Sequence, residues 1–142
     1  MDIPNIITLI GFMGIGALIK SFVDAALHKR QNRSQKQHEF KETRYKAVIM
    51  LMLALLDFEK NLPNLKQHGR NYSSPEQLLD EIKDERNNML LYASDSVINA
   101  IKQFINEPNE LTFYEAAIKM RQDLYGLGTK LRPKNLLITE NR

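Results

Sequence analysis

From Ile3 to Ile19 the chain carries no charge, whereas from Lys29 to Lys46 it carries Lys29, Arg30, Arg33, Lys36, Lys41, Arg44 and Lys46 against Glu39 and Glu42. An apolar N-terminal segment followed at once by a basic run is the pattern of a membrane anchor whose basic flank stays in the cytoplasm. As helix, seventeen uncharged positions at about 1.5 Å each nearly cross a hydrocarbon core of about 30 Å. Lys20 lengthens the span toward Leu27 by snorkelling, and Asp24, one helical turn later, is placed to pair with it. A secretory signal fits poorly, because Met1-Asp2 is acidic and no small-residue cleavage site precedes a polar mature start. The rival, an N-terminal helix buried in a soluble oligomer, leaves the cations after it without a reason. The expectation is a single-pass protein with the transmembrane helix in residues 1–28, the N-terminus outside and the remainder in the cytoplasm.

The remainder reads as helix throughout, giving an all-α class: an N-terminal transmembrane helix continuing into a small cytoplasmic helical domain over residues 29–130, with a mobile tail over 131–142. No Pro or Gly occurs between Ala17 and Leu62, so one long helix is expected to end before Pro63. Its stretch Ala47–Leu56 is too short to span a bilayer and reads as a buried core segment. Turn residues from Pro63 to Ser73 predict a loop. Ser74-Pro75-Glu76-Gln77 then opens a helix, serine as cap, proline first and Gln77 closing a capping box. Its expected apolar face is Leu78, Leu79, Ile82, Met89 and Leu90. Ser94-Asp95-Ser96 caps the next helix, with Val97, Ile98, Ile101, Phe104 and Ile105 inward and an end before Pro108. Thr112 to Glu115 is read as a further capping box, and Gly126 as the C-cap of the helix it starts.

Little in the chain carries covalent chemistry. With no cysteine there is no disulfide framework or thiolate zinc site, and no glycine-rich phosphate loop or nucleophile elbow is present. No cofactor is expected. The net charge of +3 is modest and concentrated beside the anchor, which favours membrane lipid over direct nucleic-acid binding as its partner. Gly11, Gly14 and Gly16 lie within the apolar segment, where small residues let neighbouring helices approach closely or are simply ordinary membrane-helix composition.

At about 100° per residue, Asn5, Thr8, Phe12, Gly16 and Lys20 follow one slowly drifting face, with Asp24 beyond it. Polar groups within a span face protein or water. A lone helix cannot hide such a face, so self-association is expected, with these six as candidate pore-lining residues. The alternative places Lys20 and Asp24 at one interface, and Asn5 and Thr8 near the outer end.

Arg33-Ser34-Gln35-Lys36-Gln37-His38 sets an arginine and a histidine apart by four residues. This spacing resembles the motif of HEPN ribonucleases, in which arginine holds phosphate and histidine serves acid-base catalysis on the 2′-hydroxyl. Ser34 departs from the Asn, Asp or His common after that arginine, and a solvated juxtamembrane face explains the same residues. Taken together, one N-terminal membrane helix, a helical cytoplasmic domain and a divergent HEPN-like motif at Arg33 and His38 resemble the small membrane accessory proteins of subtype VI-B CRISPR-Cas systems. The segments Tyr92–Ile98 and Met120–Gly126 also resemble tails of small bacterial membrane-anchored proteins.

The first resemblance implies a homo-oligomeric ring in the bacterial inner membrane. Such a ring forms a pore and strengthens RNA-targeted antiphage defence by depolarisation, functionally coupled to an RNA-guided nuclease, and it is not an enzyme. The alternatives are a membrane-anchored ribonuclease using Arg33 and His38, and a passive membrane-tethered scaffold for a partner.

Overall fold

The computed structural model describes the backbone of residues 3–137 and the side chains of residues 20–137. Helices α1 (Ile3–Leu56), α2 (Phe58–Gln67), α3 (Pro75–Asn88), α4 (Asp95–Asn106) and α5 (Glu110–Tyr125) follow in order, with short 3-10 turns at Met89–Leu91 and Pro133–Asn135. No strand occurs among the described residues, so the chain is all-α as the periodicity requires. Two compact units divide it, residues 1–39 and residues 40–142.

Among the described residues no helix is long and apolar enough to cross a membrane. The expected span Ile3–Leu27 falls mostly on residues 3–19, whose side chains lie outside the described set. The transmembrane part of the expected fold therefore rests on the sequence pattern and gains no support from the structure.

Within the second unit the core forms where α1, α3, α4 and α5 turn their apolar stripes inward. Val48, Leu51 and Met52 of α1 are fully buried, at the spacing of one helix face. They meet Leu78 and Ile82 of α3, Val97, Ile101 and Phe104 of α4, and Ala116 and Met120 of α5 in one cluster. The stretch Ala47–Leu56 is thus core, as its length implies. Of the face expected for α3, Leu78, Ile82 and Met89 are buried and Leu79 is half-buried, but Leu90 is exposed. The 3-10 turn at Met89–Leu91 rotates Leu90 out of the helical register.

Two helix boundaries differ from expectation. The long helix ends at Leu56, where Asp57 leaves the helical region at φ −144° and ψ 77°, and α2 runs through Pro63. Proline removes one hydrogen bond and crowds the preceding turn, at a cost of about 3 kcal/mol. Burial of Leu65, 1% exposed, offsets about 1.5–3 kcal/mol of that. The Asp57 cap adds a further contribution by accepting from the Lys60 N–H, while the Asn61 amide donates to the Asp57 carbonyl at 2.8 Å. What was expected as a loop from Pro63 is therefore helical as far as Gln67.

The second difference is the cap of α5, which starts three residues before the expected Thr112. Asn109 is the N-cap, its side chain accepting from Thr112 N at 3.0 Å, while Thr112 Oγ1 accepts from Asn109 N at 3.2 Å. Thr112 closes the box instead of opening it. At the other end Gly126 takes the left-handed conformation, φ 62° and ψ 20°, and closes α5 as expected.

Serine caps also differ in detail. Ser74 and Ser94 occupy N-cap positions in extended conformation, yet neither side chain makes a cap hydrogen bond to its helix. Gln77 Oε1 accepts instead from Ser73 N at 2.9 Å. After α5, the tail is not wholly without structure, since Pro133–Asn135 forms its turn against α5.

Candidate functional site

Arg44 and Tyr45 follow Lys41 by three and four residues, about one helical turn, and share its face of α1. The same stripe continues into buried Val48, Leu51 and Met52, so Tyr45 is carried into the core and Lys41 and Arg44 to its edge. Lys41 Nζ lies 2.6 Å from Asp123 Oδ2. The Tyr45 hydroxyl, on a residue only 1% exposed, donates to the same Asp123 oxygen. Ser94 Oγ lies 3.0 Å from Ser96 Oγ. That contact occupies the Ser94 hydroxyl, which makes no cap hydrogen bond to α4.

One turn along, Arg44 Nη2 lies 2.6 Å from both carboxylate oxygens of Glu85. Glu85 is 8% exposed and is the buried charged residue among the described residues. Aromatic rings close the assembly: Tyr92 meets Phe40 edge-on at 5.4 Å between centroids and Tyr45 at 6.3 Å. The Tyr92 hydroxyl is buried without a hydrogen-bond partner.

The electrostatics follow from these contacts. Burial pushes the Tyr45 hydroxyl well above the ordinary tyrosine range, and its hydrogen bond to the Asp123 carboxylate adds to the rise. For Asp123 burial acts upward, but hydrogen bonds from Lys41 and Tyr45 together with the Lys41 charge hold it below the usual aspartate value. Tyr92 is raised by burial, which outweighs the opposing Arg44 guanidinium. Each cation in the cluster faces a carboxylate. The arrangement is therefore a polar latch that fastens α1 to α3 and α5, with Lys41, Arg44 and Tyr45 matched to carboxylates and the Tyr92 hydroxyl left unpaired.

The basic run changes meaning in this light. Lys41, Arg44 and Lys46 pair with Asp123, Glu85 and Glu42, which leaves Lys29, Arg30, Arg33 and Lys36 as exposed cations on α1 nearer the N-terminus. Sequence reasoning counted all seven as membrane flank. It missed the latch, although a signal was present, since Lys41, Arg44 and Tyr45 are in phase with the apolar stripe instead of opposite to it.

Of the candidate pore residues, Asn5, Thr8, Phe12 and Gly16 lie outside the residues whose side chains are described, while Lys20 and Asp24 are exposed on α1. Arg33 is exposed and His38 half-buried. Five residues of helix turn through about 500°, so these two side chains leave the axis about 140° apart and do not converge within one chain. No cluster of potential metal ligands occurs among the described residues. No family model, curated protein or solved structure matches this chain.

Proposed function

We propose that the protein is a membrane-anchored, self-associating helical protein that acts in the bilayer as a pore and catalyses no covalent reaction. One observation carries the reading: an apolar segment, Ile3–Leu27, stands immediately before a basic flank on a helix that ends within the core of a folded unit. Lys29, Arg30, Arg33 and Lys36 suffice to orient such an anchor, because cations near the end of a span set topology during insertion, before Lys41 and Arg44 find their partners. Asn5, Thr8 and Lys20 on one drifting face favour association, which removes polar groups from lipid.

The resemblance to the accessory proteins of subtype VI-B CRISPR-Cas systems supplies a physiological setting. In it the oligomeric ring dissipates the membrane potential and so strengthens RNA-targeted antiphage defence, coupled to an RNA-guided nuclease. The ribonuclease alternative is less favoured, since Arg33 and His38 diverge on α1 and a shared phosphate would have to be assembled from separate copies.

Expression with a potential-sensitive dye tests the proposal. Wild-type protein in the membrane fraction should depolarise cells, and detergent-solubilised protein should run as a discrete homo-oligomer by light scattering. Recovery of full-length protein in the soluble fraction without detergent, or a monodisperse monomer across several mild detergents, overturns it.

A further inference from the structure

A small basic hollow opens between α3 and α4, of about 260 Å³, lined by Lys83, Arg86, Asn87, Lys102 and Ile105. We propose that it is a binding site for a phosphate group, carried either by a lipid headgroup or by a soluble phosphate compound. This inference is independent of the pore reading.

Three observations carry it. The lining brings together three cations from two helices and no carboxylate, so the local field favours an anion. Arg86 also has its Nε buried without a hydrogen-bond partner. With that edge closed to solvent, an oxyanion meets the guanidinium through its terminal nitrogens, whose fork matches phosphate geometry. Finally, the volume is below the roughly 300 Å³ at which sites for drug-sized molecules begin, which suits a compact anionic group.

The remaining contacts leave the hollow available. The Lys83 ammonium lies 2.7 Å from Asp80, but both side chains are exposed, and such surface pairs exchange readily for a stronger anion. Arg86 Nη1 donates to Asn87 Oδ1 at a long 3.3 Å, which keeps the guanidinium beside the Asn87 amide. Half-buried Ile105 supplies an apolar wall. A phosphate oxygen at Arg86 and a second toward Lys102 would receive charge-assisted hydrogen bonds from α3 and α4 at once.

Ile105 provides a local reporter. In the full-length protein with labelled isoleucine methyls, held in a nonionic detergent, inorganic phosphate at constant ionic strength should shift the Ile105 signal saturably; an Ile105→Val sample assigns that signal. Lys102→Gln should weaken the response about tenfold, the factor expected for one charge-assisted hydrogen bond, and Lys83→Gln should weaken it less. Both positions are exposed, so neither change threatens the core. Phosphatidylcholine nanodiscs with and without phosphatidate separate the sources. A shift with phosphatidate alone identifies a headgroup, and a shift with inorganic phosphate alone identifies a soluble ligand. No saturable Ile105 response to either phosphate source, or equal binding by wild type and both glutamine variants, overturns the proposal.

Discussion

Lys41 Nζ lies 2.6 Å from Asp123 Oδ2, joining the start of the second compact unit to the last turn of α5. An aspartate in a final helical turn faces the negative end of the helix dipole. The lysine, with the Tyr45 hydroxyl, is what makes that position tenable.

Asp123→Asn should therefore destabilise the second unit by about 1–3 kcal/mol. Asparagine relieves the unfavourable dipole contact and can still accept from Tyr45, but it leaves a largely buried ammonium without its counter-charge. Urea unfolding of the detergent-solubilised full chain, followed by circular dichroism, measures the loss. A change below about 0.5 kcal/mol, the level of ordinary surface substitutions, would show that the pair contributes no more than an exposed one.

The same cluster sets the pH limits of stability. The Asp123 pKa is depressed in the folded state, so its contribution is present above the ordinary aspartate value of about 3.9 and disappears as pH falls through the lower folded value. Tyr45 shifts in the opposite direction. Its contribution is present below about 10, the unfolded tyrosine value, and declines above that as the unfolded chain loses a proton the native state retains. Between pH 9 and pH 11, Tyr45→Phe should lose less stability than wild type. Parallel slopes in the two proteins would contradict the assignment.

Arg44 and Glu85 should behave as a coupled pair. Glu85→Ala leaves a guanidinium facing a hollow in place of its carboxylate, at a cost of about 3–5 kcal/mol if the pair is fully buried. Because the Arg44 side chain is 33% exposed, the loss should fall below that range. Arg44→Met combined with Glu85→Leu should recover much of it, since an apolar pair removes the uncompensated charge. Additive losses in the double variant, measured by denaturation, would mean that the residues do not stabilise one another.

The α5 cap offers a more local measurement. Asn109→Ala removes the acceptor for Thr112 N and half of a reciprocal pair, which should cost about 1 kcal/mol. Thr112→Val should cost a similar amount, and the two losses should not add, because each change breaks the same box. Full additivity would assign the two hydrogen bonds independent roles.

Helix content was legible because apolar spacing is local information: Val97, Ile101 and Phe104 announce an inward face, and Gly126 announces an end. The break at Asp57 was not legible, since proline six residues later is the stronger local signal and it takes the burial of Leu65 in the core together with the Asp57 cap to outweigh it. For the same reason Asn109 was overlooked beside Thr112, as the two residues exchange hydrogen bonds and either can be taken for the cap. The latch depended on pairings of Lys41 with Asp123 and Arg44 with Glu85, remote in sequence. Composition counts a cation in the same way whether it faces lipid or a carboxylate from another helix.

The pore reading makes a prediction that separates it from ribonuclease activity. If the face of Asn5, Thr8 and Gly16 lines a conduit, leucine at any of these positions should narrow or dry it and weaken depolarisation, because apolar constrictions close by dewetting. His38→Ala should produce no cleavage defect, as the wild-type protein is expected to cleave no RNA. Comparison at matched membrane expression excludes loss of folding as the cause. Latch variants such as Asp123→Asn provide the further control, since they should reduce stability without altering the conductance of channels that do assemble. RNA cleavage by purified wild-type protein, abolished by Arg33→Ala or His38→Ala while the leucine variants depolarise normally, would reverse the assignment and place the chemistry on the exposed face of α1.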